Sequence, residues 1–458
     1  MVPRINRSSP SVLAALGVSL LLAVSGAAAQ SAGEVEFSRG VGFAQTPGQT
    51  PRTLGKGLPL REGDRLTTSD GASAIIKLDD GTRMTVRPNS EIVLTQYKFK
   101  ENAPDNTMFM QLVRGGFRAV TGLISKNSPN AARVQTNTAT IGIRGTDFDA
   151  RVCNRDCGAE SAKVAAAARP NAIQASAKIF SAQGEVHAVD SAGQRRRLVD
   201  GGSIYPGDLV ETGGGTRAVL AFRDDTRITL GSTTRFRVDN FVYDDRNAGE
   251  GRFLASVLKG SVRALTGLIA KANNRNVGFS TVTATIGIRG TGVDINCTGA
   301  CAGEAGGADS GLTLWTWLGS IAVTQSGQTA LQVLQAGQGL FISPSGIRPI
   351  ASQPVIEGTR PDGVTVPPKF FSSDVVSDSE EGLFVFVRDG HIEVATAGEV
   401  LHLGKGEAGF AGAGGDTKRP GSIPKFIDFD SLPSPTSKNP LLVSVLAESG
   451  IKPNNQCK

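Results

Sequence analysis

A chain of 458 residues, 39% of them hydrophobic, can bury a substantial core, and its length suggests about three domains. Glycine, at 57 residues, is well above the usual ~7% and lacks the period of collagen, so many tight turns between short strands are expected. The formal charge of +6 is small and scattered rather than gathered into a basic stripe. That argues against nucleic acid as a partner and leaves only weak attraction to anionic envelope polymers.

Residues 1–29 read as a secretory signal peptide. Arg4 and Arg7 precede an apolar run from Val12 to about Val24, and Ala27 and Ala29 fit an A-x-A cleavage site. The run is shorter than the ~20 apolar residues that span a bilayer. No later stretch is long and apolar enough to do so. The mature chain is therefore expected in the periplasm and not as an integral membrane protein.

The next feature is an internal repeat. Residues 136–146 read TNTATIGIRGT and residues 281–291 read TVTATIGIRGT, ten of eleven positions being identical. Upstream, Arg118-Ala-Val-Thr-Gly-Leu-Ile-Ser-Lys126 matches Arg263-Ala-Leu-Thr-Gly-Leu-Ile-Ala-Lys271. The copies read as strands: Arg227–Leu230 and Arg235–Val238 alternate polar and apolar residues. Ala74–Leu78 and Arg83–Val86 flank an Asp-Asp-Gly-Thr turn, a hairpin signal. The second copy has Asp225 where the first has Gly81, so the same turn with slightly different geometry is expected.

A smaller strand–glycine–strand unit occurs four times, at Glu34–Phe43, Lys178–Val189, Gly311–Thr324 and Gly382–Ala395. The fold class implied is all-β, with tandem repeated domains of short strands arranged as a solenoid, roll or sandwich. The expected organisation is a first domain at 31–157, then an Ala-rich stretch at 158–176 that is either a short helix or a tether. A second domain with its following β unit spans 177–350. A Pro-rich spacer covers 351–381, a third β unit 382–415, and a Pro-rich tail with a short helix 416–458.

The run TATIGIRGT preceded by R-x-x-TGLI, with EGD or PGD and LDDGT upstream, resembles the FecR domain over roughly Leu60 to Cys157 and Ile204 to Cys301. GKGEAGF at Gly404–Phe410 is similar to the tails of stand-alone periplasmic proteins of that family. The regulators of ferric-citrate uptake that name the family place a cytoplasmic sigma-factor-binding region and a membrane helix before the periplasmic domain. This chain departs from that plan, so direct control of a sigma factor is not implied. The resemblance implies a periplasmic β domain and a bias toward envelope signalling or protein contact.

Each copy ends in C-x-x-x-C, Cys153/Cys157 and Cys297/Cys301. An exported protein meets an oxidising compartment, so disulfides are expected. A bridge needs Cα atoms within about 7 Å, whereas a straight strand would hold them ~13 Å apart, so each copy must turn after its last strand. Free thiols and a four-thiolate metal site are weaker alternatives. Cys457 is left over for a free thiol or a partner chain.

His187, His391 and His402 lie in no metal or nucleophile motif, and His187 and His391 are expected on solvated strand faces. No hydrolase, metalloprotease or nucleotide-binding signature is present. The chain is therefore expected not to be an enzyme and to hold no metal or cofactor. Arg144 and Arg289 in G-I-R-G-T could grip an acidic ligand or pair with a domain acid such as Asp64 or Asp208, the latter being favoured. Arg118 and Arg263 are expected on solvated faces, with binding as the alternative. Trp315 and Trp317, two apart on one strand, are either core or a stacking platform for sugar. Together these readings point to a non-enzymatic binding or signalling module that contacts an envelope protein, with a structural adaptor for cell-wall or surface polysaccharide as the alternative.

Overall fold

Alternating apolar residues and frequent glycine turns yield two mixed β-sheets of 15 strands each in the computed structural model, and neither closes into a barrel. The structure describes residues 31–127, 131–307, 309–356, 358 and 360–436. The helix expected near Leu441–Glu448, the signal segment and Cys457 lie outside the described residues. Helices are short, and among the described residues none is long and apolar enough to cross a membrane.

The two sheets share one plan. In the first, the long strand Thr107–Val120 leads through the helix Leu123–Asn127 to Ala132–Gln135, which pairs parallel to it. The chain then returns antiparallel as Thr140–Cys153. In the second, Arg252–Leu265, Leu268–Ala272, Val277–Ser280 and Ala284–Cys297 repeat these steps. Ile141, Ile143, Phe148 and Ala150 are buried along Thr140–Cys153, as the alternation requires on either side of a bulge.

The repeated motifs prove to be one hydrogen-bonded frame. The Asp80 carboxylate accepts from Thr82 N and Oγ1 at 3.1 and 2.9 Å, and Thr82 Oγ1 accepts from Gly122 N at 2.9 Å. Asp224, Thr226 and Gly267 repeat this at 3.2, 3.0 and 2.8 Å. A Cβ on Gly122 or Gly267 would lie 2.2 or 1.9 Å from the Asp80 or Asp224 carbonyl oxygen, which is why Thr-Gly-Leu carries glycine there. Thr121 Oγ1 accepts from Thr146 N at 2.7 Å, and Thr266 from Thr291 at 2.9 Å, tying the same turn to the Gly-Ile-Arg-Gly-Thr strand. The hairpin turn is kept in both copies: Gly81 has φ 86° and Asp225 adopts φ 64°.

The outermost partner of each repeat enters differently. In the second sheet, Ala284–Cys297 pairs over 12 registered positions with Leu312–Gln325, which follows soon after. In the first, Thr140–Cys153 makes the same 12-position pairing with Gly382–Ala395, far along the chain. Gly382–Ala395, Val400–Gly404, Ala408–Gly412 and Thr417–Lys418 all belong to the first sheet. The segment 382–415, expected as a separate third unit, is thus the missing edge of the first domain, and the second domain is inserted between strands of the first. The four strand–glycine–strand units divide two per sheet and do not form one continuous stack. Leu383, Val385, Val387, Ile392, Val394, Leu401, Leu403 and Ala411 join the core of the first domain.

The connecting segments are docked. The 158–176 stretch opens as the helix Cys157–Ala162 and then runs extended, with Pro170 bridging Ser422. The Asn171 side chain donates to the Ala408 and Pro420 carbonyls at 2.9 and 2.6 Å. Residues 351–381, expected as a spacer, lie against both domains: Gln353 donates to Asp294 at 2.8 Å, and Arg419 donates to the Lys369 and Ser372 carbonyls at 3.1 and 2.9 Å. The tail covers the first sheet, where Thr85 Oγ1 donates to the Pro433 carbonyl at 2.8 Å and Phe426 and Ile427 are buried.

Disulfides join Cys153 to Cys157 and Cys297 to Cys301, with Cα–Cα distances of 5.6 and 5.2 Å. The chain turns after each long strand, into Cys157–Ala162 and Gly299–Ala302. Replacing Cys297 and Cys301 by serine should lower stability by about 2 kcal/mol, the loop-closure entropy of so short a ring. Denaturant unfolding reads this, and alkylation of the unfolded, unreduced chain should label none of these four cysteines.

Candidate functional site at the junction of the domains

Charged and polar side chains concentrate where the first domain closes on the inserted second. Strands Gly382–Ala395 and Val400–Gly404 pair antiparallel with Glu393 opposite His402, so His391, Glu393 and His402 share one face. The neighbouring strand places Arg144 opposite His391 on that face. Arg144 Nη2 lies 2.7 Å from Glu393 Oε1, both side chains being about one-fifth exposed. The two imidazoles stack with centroids 5.6 Å apart. The second domain contributes Gly201, whose Cα closely approaches the His402 ring, and Lys178, whose ammonium donates to the His402 carbonyl at 3.1 Å.

Behind the histidines lies a fully buried ion group. Lys178 Nζ is 3.0 Å and Arg419 Nη2 3.2 Å from Glu407 Oε2, and each side chain is at most 1% exposed. Burial pushes the Lys178 ammonium down to about 8, with Glu407 opposing. Burial, with Lys178 and Arg144 adding to it, pushes His402 down to about 4. His391 is held well below the usual histidine range by burial and by His402. Both rings are therefore neutral near pH 7.

His391, expected on a solvated face, is only 9% exposed, stacked on the His402 ring against which the inserted domain packs Gly201. Both of its ring nitrogens, and Nδ1 of His402, are buried without a hydrogen-bond partner among the described residues. Ligand atoms of His391, Glu393 and His402 all lie within 4.8 Å of one another. A second such group, Cys153, Asp156 and Cys157, has its sulfurs joined in a disulfide and unavailable as thiolates.

A second polar cluster distinguishes the two copies. Arg263 forks onto Asp294 at 2.7 and 2.9 Å in the second domain, so it is buried and paired rather than solvated. In the first domain the corresponding Asp149 accepts from Arg388 at 2.7 Å, while Arg118, also largely buried, lies 3.6 Å from Asp147. Asp147 and Arg388 stand where the second domain has Gly292 and Trp317. There the Trp317 ring lies against Gly292 and beneath the Arg360 guanidinium, 5.4 Å from its centroid. Trp315 is buried, so the two rings do not form an open stacking platform.

Arg144 pairs with an acid, but with Glu393; Asp64 is held by Arg52, at 2.6 Å, and Asp208 by Arg196. Arg289 is exposed and stands opposite Ser320. Sequence reasoning missed Lys178, Glu393, Glu407 and Arg419, while Asp149 stood out in sequence only as half of a weak Asp147-Phe-Asp149 pair. Of the four missed, only Glu407 carried a signal, as the acid of GKGEAGF.

Burial pushes the Asp149 carboxyl up to about 6, with Arg388 opposing and Asp430 reinforcing. The folded value thus lies above the unfolded ~3.9. The folded chain holds the extra proton between about pH 4 and pH 6, so this group's contribution to stability declines as pH rises through that window. Relative to Asp149→Asn, the wild type should lose about 3 kcal/mol across it, which denaturant unfolding at several pH values reads.

Residues 64–169 and 208–304 match a family model described as FecR protein. No curated protein matches the chain. Two crystal structures of a candidate anti-sigma factor from Parabacteroides distasonis are similar to it at 14% identity and a TM-score of 0.24. Each match covers 31% of this chain and 58% of the other, so the chain spans less than two thirds of that protein's length.

Proposed function

From a chain that carries two FecR domains, one inserted in the other, we propose a non-enzymatic periplasmic module that acts in binding or signalling through protein contacts in the cell envelope. The observation that carries this reading is the pair of FecR matches, which fall on the two copies of the hydrogen-bonded frame. The frame is the same in both copies while the charges beside it differ: Asp147 and Arg388 in one, Gly292 and Trp317 in the other. Two scaffolds presenting different surfaces need that combination, whereas a duplicated catalytic centre would keep its acids. The two disulfides are suited to an oxidising compartment.

Cross-linking of the tagged full chain in intact cells, followed by purification of envelope complexes, tests the reading. A defined protein partner in stoichiometric amount is the expected result. Recovery of glycan alone would overturn it in favour of the polysaccharide adaptor. An activity that disappears with Asp147→Ala would overturn the non-enzymatic part.

A further inference from the structure

We propose that His391, Glu393 and His402 bind one divalent transition-metal ion of borderline softness, zinc or a first-row neighbour, at the seam between the two domains. The proposal goes beyond the module reading and does not depend on it. Two observations carry it. The donor atoms already lie within 4.8 Å of one another on two adjacent antiparallel strands. His391 is 9% exposed, and neither ring nitrogen has a hydrogen-bond partner among the described residues, nor has Nδ1 of His402. Buried polar atoms are ordinarily satisfied, and an orphaned imidazole nitrogen turned toward a second imidazole and a carboxylate is the arrangement an ion resolves.

The donor set sorts the ions. Two imidazoles and one carboxylate suit zinc, iron, nickel or copper and leave coordination positions open to water or to an external ligand. Calcium and magnesium, which take oxygen donors, are disfavoured. The cysteines of the described residues are tied in disulfides and do not compete as thiolates. Entry is from the rim, where the His402 and Glu393 side chains are about one-fifth exposed while His391 forms the floor.

The surroundings fit a site of moderate strength. Arg144, Lys178 and Arg419 bring positive charge near the ion, and Glu407 offsets the last two. Arg144 bonds one carboxylate oxygen of Glu393, the kind of outer contact that orients a ligating carboxylate. The second domain has nothing comparable at the matching positions, where the same strand pairing places Ser320, Ala322 and Val333. The donors occur only where the first domain meets the inserted one, with His402 packed on Gly201. An ion there would rigidify the strands on which the inserted domain rests.

The chain contains three histidines, so the test is direct. Full-length mature protein, freed of any histidine tag and of metal by chelator, is titrated with Zn(II) against a chromophoric competitor and then with Co(II). The expected result is one equivalent per chain and a raised Tm. Co(II) should broaden the ring resonances of His391 and His402 and spare His187, with ligand-field bands and no thiolate charge-transfer band. His402→Ala and Glu393→Gln should each weaken Zn(II) binding by at least about tenfold while the metal-free variants keep the wild-type circular dichroism. No saturable binding, binding unchanged in both variants, or a thiolate band reporting Cys457 would overturn the proposal. If His402→Ala does not fold, the histidine resonances of the wild type decide alone: broadening that includes His187 equally, or spares His391, refutes the site.

Discussion

A chain ending at residue 351 is expected to lose its first domain and keep its second. The truncation removes Gly382–Ala395, which makes 12 registered pairs with Thr140–Cys153, and so uncovers that strand along its whole length. It also removes eight core side chains, from Leu383 to Ala411. At about 1.5–3 kcal/mol for each larger side chain, the lost burial exceeds roughly 10 kcal/mol, which is of the order of a domain's entire stability. The cap formed by Phe426 and Ile427 goes as well. The second domain has its own partner strand, Leu312–Gln325, and its own core, so it should unfold in a single cooperative transition. Hydrogen exchange on the truncated chain separates the outcomes: protection throughout 177–350 with none at 107–153 is expected, and protection in both would mean that the first domain closes without its distant strand.

The second large effect is expected from Glu407→Gln. Glu407 is the shared anion of Lys178 and Arg419, and all three side chains are buried. Removing its charge leaves two cations out of water without a counter-ion, a change that costs about 3–5 kcal/mol. For domains of this size that is a fall in Tm of roughly 10 °C. Because Lys178 belongs to the second domain and Glu407 and Arg419 to the first, the loss should weaken the seam more than either core. Scanning calorimetry should then resolve two transitions. Pairing Lys178→Met with Glu407→Gln should recover part of the loss, since only Arg419 is then stranded, and it keeps its bonds to the Lys369, Ser372 and His402 carbonyls. An unchanged melting profile for the single variant would show that the ion group does not hold the domains together.

The frame was legible because its signals are local. Asp-x-Thr turns, a glycine that must approach a carbonyl, and alternating isoleucines recur in fixed order, and each acts on neighbours a few residues away or on the next strand. The disulfides were legible for the same reason, since four residues of separation admit a bridge only where the chain turns. The junction was not legible. Lys178 sits in an ordinary strand segment, Ala177–Gln183, and nothing nearby in sequence marks it as buried. His391 follows a turn in an alternating segment, a pattern that sets which face a side chain occupies but not whether another domain covers that face.

The contrast is clearest in the two strands Leu312–Gln325 and Gly382–Ala395. Their likeness, their central glycines and their apolar alternation are all present in the amino-acid order, and with them the all-β class and the repeat. Which sheet each strand completes is not. Side-chain period specifies register and face once a partner is chosen, but strand pairing is non-local, and a suitable edge is offered by both copies. Only the packed structure, with Thr140–Cys153 waiting for a strand that arrives after a whole inserted domain, decides that one copy of the repeat encloses the other and brings His391, Glu393, His402 and the Lys178–Glu407–Arg419 group to a common seam.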